Sequence, residues 1–462
     1  MRSQKYTMDM CNGPIFSKMI RYSLPLVLTY LLQFAFHAAD LIVIGRFSSH
    51  ESLAAIGTTS SIIALQVNFF VGISVGANVV AAQLYGAKDT KKVSRTTHTT
   101  MALAVIVGFI VLISGCLLAR WLLVVTDVPG EILEKAWLYL IISFLGAPFL
   151  MIYNFGCAIL RALGDTRRPL YYLTIAGVAN VLLNLVFVLV FNMDVAGVGL
   201  ATMASKILSA WFVVQTMRKS HGVGRLILRN IRIDWELTKQ ILKTGIPAGI
   251  QSACFALSNT IIQSGVNFFG SAAVAGITAS NSLEAVLYAL SYGMHQTMVA
   301  FVGQNFGAKK YDRLKKVIKL CLSYTCIVIF IMSSIMWIFG DALLNIFSTE
   351  PEVKSWGMLR IGITFSTYFL LGAMEGYSGA LRGLGHSLFS AISSISGACI
   401  LRIIWVSMIF KVMAEPSMSA LLISYPVSWF MVSFINAIVL WRILKKLCSN
   451  TPANSHYITA KI

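Results

Sequence analysis

Charged side chains are scarce in this sequence. Asp, Glu, Lys and Arg make up 12% of its 462 residues, whereas 57% are hydrophobic, and the mean hydropathy is +0.76. Soluble domains are about 25% charged, so this composition excludes an ordinary soluble domain. Long apolar segments are stable in lipid, and the composition therefore indicates a polytopic protein of the lipid bilayer.

The sequence also lacks the motifs of several other protein classes. Its eight cysteines show no metal-ligand spacing, so we expect neither a disulfide framework nor a zinc site. We find no phosphate-binding loop, HExxH or GxSxG motif, and no basic-aromatic nucleic-acid module. The amino terminus lacks an apolar h-region and a cleavage site, so no removable signal peptide is predicted. We therefore expect no enzyme, no ATP hydrolysis, no cofactor and no nucleic-acid partner.

Apolar segments of membrane-spanning length recur along the chain. A bilayer-spanning helix needs about 20 apolar residues, and windows of that length predict twelve spans and an all-α fold. The approximate limits are 17–43, 52–80, 93–119, 132–160, 169–191, 196–217, 241–267, 272–301, 315–339, 355–380, 388–410 and 417–441.

Lys and Arg are distributed unequally between the two sets of loops. One set, which includes both termini, holds 29 of the 37 basic residues, and the opposite set holds 5. Short cytoplasmic loops carry an excess of Lys and Arg. We therefore predict a multi-pass protein of the cell membrane with both termini in the cytoplasm.

Two motifs recur at a fixed distance along the chain. QLYGAK at 83–88 matches QNFGAK at 304–309, and LRALG at 160–164 matches LRGLG at 381–385, and the offset between the copies is the same for both motifs. Two motifs in register on one offset indicate a tandem duplication, with two six-helix bundles related by an axis along the membrane normal. The predicted parts are an N-lobe at 1–217, a basic cytoplasmic linker at 218–240, a C-lobe at 241–445 and a cytoplasmic tail at 446–462.

The first predicted span contains a carboxylate, Asp40. A carboxylate at the centre of a membrane helix costs roughly 2.5 to 3.5 kcal/mol on insertion scales, so this residue needs an explanation. One interpretation is a cation or proton site that faces a protein-lined cavity. The other is a carboxylate close enough to the far interface to reach water, with Arg46 nearby.

Amide and hydroxyl side chains accompany this acid in the predicted spans of the first half. Asn154, Asn180, Asn184 and Thr202 lie in spans four to six, and Asn180 and Asn184 share one helical face because they are four residues apart. Their oxygens suit a hard cation such as sodium, and they could equally hydrogen-bond a protonated carboxylate. Asparagines that only join helices are the alternative. Tyr139 either joins this site or is an interfacial aromatic.

The second half carries different acids. Glu284 lies in span eight and Glu375 in span ten, and neither position holds an acid in the first half at the offset of the repeated motifs. The two lobes are therefore predicted to be functionally asymmetric. Glu284 and Glu375 are interpreted either as walls of a substrate cavity that attract cations or as partners within the bundle. Pairing of Glu375 with Arg360 or Arg402 is one form of the second interpretation.

The order and spacing of these motifs resemble one transporter family. The acid late in span one is followed by IGR and LAAIG, then by QLYGAK, LRALGDT, QNFGAK and LRGLGHS. This pattern resembles the multidrug and toxic compound extrusion (MATE) family over residues 17–445, closer to the bacterial branch that includes the DNA-damage-inducible protein F type. The resemblance implies a MATE-like fold of twelve helices.

The resemblance also implies a function. MATE transporters are secondary antiporters that export cationic or amphipathic organic compounds in exchange for protons or sodium, by alternating access. In related transporters the positions of Asp40, Asn154, Asn180, Asn184 and Thr202 form the amino-lobe ion site, to which Tyr139 is a candidate addition. If sodium is the coupling ion, its expected ligands are Asp40, Asn180 and Asn184.

The sequence departs from the family pattern at one position of the ion site, and it is compatible with a second function. Relatives often carry an acid where Asn184 stands, so a relay through two carboxylates is not expected here. The main alternative is a lipid-linked oligosaccharide flippase of the same superfamily, whose site needs cationic side chains for a pyrophosphate. A complete pair of lobes permits a functional monomer, with small organic molecules as its partners.

Overall fold

The computed structural model describes residues 7–410 and 417–449, and the side chains of 409, 410 and 448 are outside the description. In these ranges the chain is helical and has no β-strand. Most of the predicted cytoplasmic tail, 450–462, lies outside the described residues.

Sixteen α-helices are present in the described ranges. The first seven are α1 Ile15–Phe47, α2 His50–Gly86, α3 Thr90–Val125, α4 Gly130–Leu145, α5 Ala147–Ala162, α6 Arg167–Leu185 and α7 Asp194–Lys219. The next five are α8 Trp235–Asn267, α9 Ser271–Gly307, α10 Tyr311–Ile338, α11 Gly340–Leu344 and α12 Pro351–Phe365. The last four are α13 Tyr368–Gly383, α14 Ser387–Ser394, α15 Leu401–Ile404 and α16 Met418–Ser449. Short π-helical segments at Val186–Val190, Ile395–Ile400 and Trp405–Phe410 extend α6, α14 and α15.

The helix lengths confirm the predicted class of all-α polytopic membrane protein. Among the described residues, nine helices are long and apolar enough to cross a bilayer, and two bent helix pairs pass the same test as single spans. The remaining long helix, α8, has 33 residues and occupies the place of the predicted seventh span. It carries polar side chains such as Gln251, Asn259 and Gln263, which lower its mean hydropathy.

Two of the predicted spans are bent rather than continuous. The fourth is divided into α4 and α5, which meet at 43° around Gly146, and the tenth into α12 and α13, which meet at 46°. Pro148 in the first turn of α5 explains the first bend, since proline lacks the N–H that would continue the α4 ladder. At the second bend the hydroxyls of Ser366 and Thr367 donate to carbonyl oxygens of the preceding turn, at 2.7 and 2.9 Å.

The duplication is visible in the backbone of the loops. Lys88 and Lys309, which end the two repeated motifs, have φ angles of 60° and 54°. Gly164 and Gly385 have φ angles of 93° and 87°. Non-glycine residues seldom adopt positive φ, so the same unusual conformation at equivalent positions of the repeat shows that the two halves share one turn geometry.

Contacts divide the chain into two compact units. The N-terminal unit comprises the described residues up to Asp9 together with Arg21–Ala253, and the C-terminal unit comprises Met10–Ile20 together with the described residues from Cys254 onward. The core of the N-terminal unit includes Leu140, Phe144 and Phe155. That of the C-terminal unit includes Phe365 and Trp429.

Glycines allow α2 and α8 to cross in close contact within the N-terminal unit. A Cβ atom on Gly76 would lie 2.1 Å from the carbonyl oxygen of Ile241, and one on Gly249 would lie 2.3 Å from that of Phe69. Gly72 and Gly245 are equally confined, so each helix contributes two glycines four residues apart. This is the small-xxx-small arrangement by which membrane helices bring their backbones together.

Candidate functional site

Asp40 lies on α1 in the N-terminal unit and is held by amides of α6. Only 9% of the residue is exposed, and Asn184 Nδ2 donates to Asp40 Oδ1 at 2.5 Å. Asn180 lies one turn earlier on α6 and is also buried. The spacing of four residues in the sequence therefore places both amides on the helix face that meets α1.

The Asn180 side chain connects Asp40 to α7. Its amide is satisfied when the nitrogen points to Asp40 Oδ1, at 2.8 Å, and the oxygen accepts from the Thr202 N–H, at 3.2 Å. Asp40 Oδ1 thus receives two amide donors. Its Oδ2 accepts no hydrogen bond among the described residues.

Lys206 brings a positive charge to this site. It lies one turn after Thr202 on α7, is half-buried, and interacts electrostatically with Asp40. Its ammonium makes neither a hydrogen bond nor an ion pair within the described part of the chain. A Cβ atom on Gly146 would lie 3.0 Å from Lys206 Cδ, so this side chain also contacts the bend between α4 and α5. We call Asp40, Asn180, Asn184, Thr202 and Lys206 the Asp40 cluster.

The two other predicted members differ in their contacts. Tyr139 is buried in an apolar cluster with Val43 and Ile44 of α1, and it interacts electrostatically with Asp40. Asn154 on α5 is half-buried, and its Nδ2 donates to the Leu150 carbonyl oxygen of its own helix at 2.9 Å. Among the described contacts, Asn154 has none with Asp40.

The Asp40 cluster presents different groups to a proton and to a sodium ion. A proton can bind at Oδ2, which lacks a donor. A sodium ion needs oxygen ligands, but both amides present nitrogen to Asp40. Asn184 Oδ1 is nevertheless buried without a hydrogen-bond partner, and it is the one amide oxygen of the cluster that lacks a donor. The described residues include no group of three or more His, Cys, Asp or Glu side chains that could hold a metal.

Glu284 in the C-terminal unit is paired with an arginine. Its Oε2 accepts from Arg360 Nη2 in a buried ion pair, and its Oε1 accepts from the Tyr368 hydroxyl at 3.2 Å. Arg360 also donates to Ser280 Oγ at 3.1 Å. These contacts join α9, α12 and α13, and both carboxylate oxygens of Glu284 are used.

Glu284 and Arg360 also line a cavity of about 360 Å³ in the C-terminal unit. We call it the α9 cavity. Its other polar lining residues are Asn259, Gln263, Asn281, Tyr288 and Tyr425. Glu375 is not among the lining residues, although it interacts electrostatically with Tyr288.

Glu375 belongs to a separate buried chain of polar contacts. His295 Nδ1 lies 2.8 Å from Glu375 Oε2, and Arg382 Nη1 lies 3.3 Å from His295 Nε2. Since a guanidinium can only donate, Nε2 accepts and Nδ1 carries the proton that His295 donates to Glu375. Because Glu375 pairs with His295, and Arg360 pairs with Glu284, the predicted pairing of Glu375 with Arg360 or Arg402 is wrong. The helix rotation that points Glu375 at α9 brings it to His295, while Arg360 meets Glu284.

Three residues of these networks, Lys206, His295 and Arg382, were not predicted from the sequence as members of a site. Lys206 follows Thr202 by four residues, which was a usable signal for a shared helix face. His295 and Arg382 gave no such signal, because their contact depends on how α9 and α13 pack.

Comparison with known proteins decides the family. The family model MatE matches residues 25–186 and 247–408, one segment in each half. The chain belongs to the MATE family.

Curated relatives of this MATE chain span nearly its whole length. The probable multidrug resistance protein YoeA of Bacillus subtilis is 26% identical over 388 residues, covering 82% of this chain and 84% of the relative. The multidrug export protein MepA of Staphylococcus aureus is 23% identical over 395 residues, covering 85% and 87%. The MATE family consists of transporters, so this chain is not an enzyme, and such transporters need no cofactor.

A solved structure supports the fold of the MATE chain. An outward-facing multidrug resistance MATE family transporter of the MOP superfamily has a TM-score of 0.89 at 18% identity, covering 96% of this chain and 98% of that one. The likeness confirms the predicted MATE-like fold. The finer assignment to the DNA-damage-inducible protein F branch stays a prediction.

Proposed function

We propose that this chain is a secondary active multidrug exporter of the cell membrane. It exports amphipathic organic compounds, organic cations among them, and an inward cation gradient drives this export. The multidrug transporters to which it is similar support this substrate class. The Asp40 cluster carries the proposal, because a buried carboxylate surrounded by neutral amides can change its charge. A partner that is always positive and directly bonded would prevent that change.

Coupling follows from the two charge states of Asp40. Binding of a cation at Asp40 and binding of the organic compound favour different conformations, so each lowers the affinity for the other. Asn180, Asn184 and Thr202 orient the carboxylate, and Tyr139 shields it from lipid. Lys206 interacts with the charge of Asp40 and contacts the bend at Gly146, so a change of charge at Asp40 can act on this bend. Asn154, which bonds only within its own helix among the described contacts, would act from α5, the helix that follows this bend.

The proton is the coupling ion that the contacts favour. The groups nearest to Asp40 are two amide N–H donors and the Lys206 ammonium. Either ion adds one positive charge beside Lys206, but a proton needs only Oδ2, whereas sodium needs several oxygen ligands and both amides direct nitrogen at Asp40. Sodium is the second candidate, and the observation in its favour is the buried, unpartnered Asn184 Oδ1.

The substrate is proposed to bind in the C-terminal unit. Glu284 lines the α9 cavity, and Glu375 flanks it through Tyr288. We further propose that the chain works as a monomer with both termini in the cytoplasm, as the loop charges predict.

Transport in vesicles tests this function. The purified chain is reconstituted with an imposed proton gradient, an imposed sodium gradient or none, and movement of a fluorescent organic cation is followed. Export that depends on the proton gradient is expected. Dependence on sodium alone would select the second candidate. Equal movement without any gradient would contradict secondary active transport, and movement of a lipid-linked oligosaccharide instead of the dye would select the flippase alternative.

A further inference from the structure

Arg402 is a buried cation without a carboxylate partner. It is 2% exposed, and its Nε and Nη2 both donate to Ser428 Oγ, at 3.1 and 2.9 Å. Among the described residues no Asp or Glu oxygen lies within 4.0 Å of its guanidinium, and its Nη1 has no hydrogen-bond partner. A hydroxyl accepts a hydrogen bond but does not neutralise a charge, so Arg402 keeps its full positive charge.

Arg402 contacts a residue that lines the α9 cavity. Its guanidinium carbon is 4.3 Å from the ring centre of Tyr425, which lines the cavity. The guanidinium carbon of Arg360 is 6.0 Å from the same ring. Arg402 is also within electrostatic range of Glu284. The contact with an aromatic ring offsets part of the free-energy cost of burying a cation, but it does not neutralise the positive charge of Arg402.

The acids of this region are already occupied. Glu284 is bonded to Arg360 and Tyr368, and Glu375 is bonded to His295, which in turn accepts from Arg382. Neither acid is bonded to Arg402, so the positive charge of Arg402 has no carboxylate partner among the described residues. An isolated Glu284 would attract cations, but the Glu284 that is paired with Arg360 brings no net negative charge to the cavity.

The buried positive charge of Arg402 interacts strongly with other charges near the α9 cavity. Interactions between charges grow as the surrounding dielectric falls, and a buried cation is stabilised by an anion that approaches with hydrogen-bond donors around it. Asn259 and Asn281 line the cavity, are exposed to it, and make no side-chain hydrogen bond among the described residues. Each amide can donate to an oxygen of a bound ligand. The cavity volume is within the range of small-molecule sites.

We propose that the α9 cavity binds organic carboxylates, with the positive charge of Arg402 attracting the carboxylate group and Asn259 and Asn281 donating to its oxygens. Tyr288 and Tyr425 then supply aromatic surface for the apolar part of the ligand. As a statement about substrate class this rests on the proposed export function: of the amphipathic compounds proposed for export, the α9 cavity selects those that carry a carboxylate, and organic cations are not expected to bind in it. As a statement about binding it can be tested without any gradient.

Two fluorescent probes that differ only in charge provide the test. Dansylglycine carries a carboxylate, and dansylglycinamide replaces it by a neutral amide. Binding of each to the purified full-length chain in neutral detergent and low salt is measured by equilibrium dialysis. The parent chain is expected to bind the carboxylate at least tenfold more tightly than the amide. Equal affinities for the two probes would overturn the proposal.

Variants assign the preference to named residues. Arg402→Gln is expected to reduce the preference to less than about twofold, and Arg402→Lys to retain part of it. Arg442→Gln makes the same chemical change at the exposed end of α16 and should leave the preference intact. Should Arg402→Gln fail to fold, as judged by thermal unfolding, Asn281→Ala keeps every charge and should still weaken carboxylate binding several-fold.

Further outcomes separate this proposal from others. An unchanged preference in well-folded Arg402→Gln would overturn it, as would an unchanged affinity in Asn281→Ala. Loss of the preference in physiological chloride, but not in methanesulfonate of the same ionic strength, would mean that the site holds chloride, which contradicts a site for organic carboxylates. Carboxylate binding by a chain that exports nothing in vesicles would refute the proposed function and leave the site in place.

Discussion

The two halves of this molecule use equivalent positions for different chemistry. Tyr139 in the N-terminal unit and Arg360 in the C-terminal unit are separated by the offset of the repeated motifs. Tyr139 packs near Asp40 without neutralising it, whereas Arg360 forms an ion pair with Glu284. The acids themselves stand at positions that are not equivalent. The duplicated scaffold therefore kept its turns and bends while its buried charges diverged.

The difference lies in the neighbours of each acid. Amide donors bind a carboxylate and can turn to accept from a carboxylic acid, so the contacts of Asp40 suit either form of its side chain. A guanidinium cannot lose its proton, so Glu284 has a partner that is always positive. In the proposed mechanism Asp40 of the N-terminal unit changes its charge, whereas the Glu284–Arg360 pair of the C-terminal unit keeps its charges.

The largest effect is expected from Asp40→Asn, which removes the exchangeable charge at nearly constant volume. Gradient-driven export should fall to the level of protein-free vesicles, while the fold and binding of the organic compound persist. Transport and thermal unfolding of the same preparation are measured, with Glu131→Gln, an exposed acid at the start of α4, as the control. Full gradient-driven transport by Asp40→Asn would remove Asp40 from the coupling mechanism.

The next effect is on stability in the C-terminal unit. Arg360→Gln leaves the buried Glu284 carboxylate without its cation and should lower the free energy of unfolding by about 3 to 5 kcal/mol. Adding Glu284→Gln should restore much of this loss. In the N-terminal unit Asn184→Leu removes one amide donor and should cost about 1 to 3 kcal/mol.

Thermal unfolding in detergent measures all of these variants. A loss in Asn184→Leu as large as that in Arg360→Gln would mean that the two acids are equally fixed. The contrast between the units would then fail.

A smaller effect is expected where α2 crosses α8. Gly76→Ala places a methyl group against the Ile241 carbonyl and should cost about 1 to 3 kcal/mol through strain. Gly57→Ala on the same helix meets no atom within 4 Å and should stabilise the chain by about 0.4 to 1 kcal/mol. Opposite shifts in unfolding temperature are expected, and equal shifts would show that the crossing is loose.

The smallest effect concerns topology and should leave transport unchanged. Lys91 and Asp312 are exposed and equivalent in the two halves, as are Glu131 and Glu352. Single cysteines at Lys91 and Asp312 should react with an impermeant maleimide only from the cytoplasmic side. Those at Glu131 and Glu352 should react only from outside, with labelling of the parent chain subtracted. Opposite accessibility within either pair would contradict a duplication in which both halves enter from the same side.

Composition and spacing determined the class, the spans and the repeat. Long apolar segments can only be satisfied as helices in a bilayer, and motifs such as those ending at Lys88 and Lys309 carry local turn geometry that neighbouring residues dictate. The bend at Gly146 has a local cause in Pro148, so it was partly visible in the sequence. The bend at Ser366 and Thr367 has no proline nearby, so the sequence did not predict it.

The charge partners were decided by tertiary structure alone. Asn180 and Asn184 share a face because of helical periodicity, but contact with Asp40, 144 residues from Asn184, requires a particular packing of α1 on α6. Glu284 pairs with Arg360, 76 residues away along the chain. Glu375 pairs with His295, 80 residues away. Hydrophobicity places such residues in the membrane but does not fix the rotation of each helix about its axis. That rotation chooses the partner, and it comes from packing against every neighbouring helix.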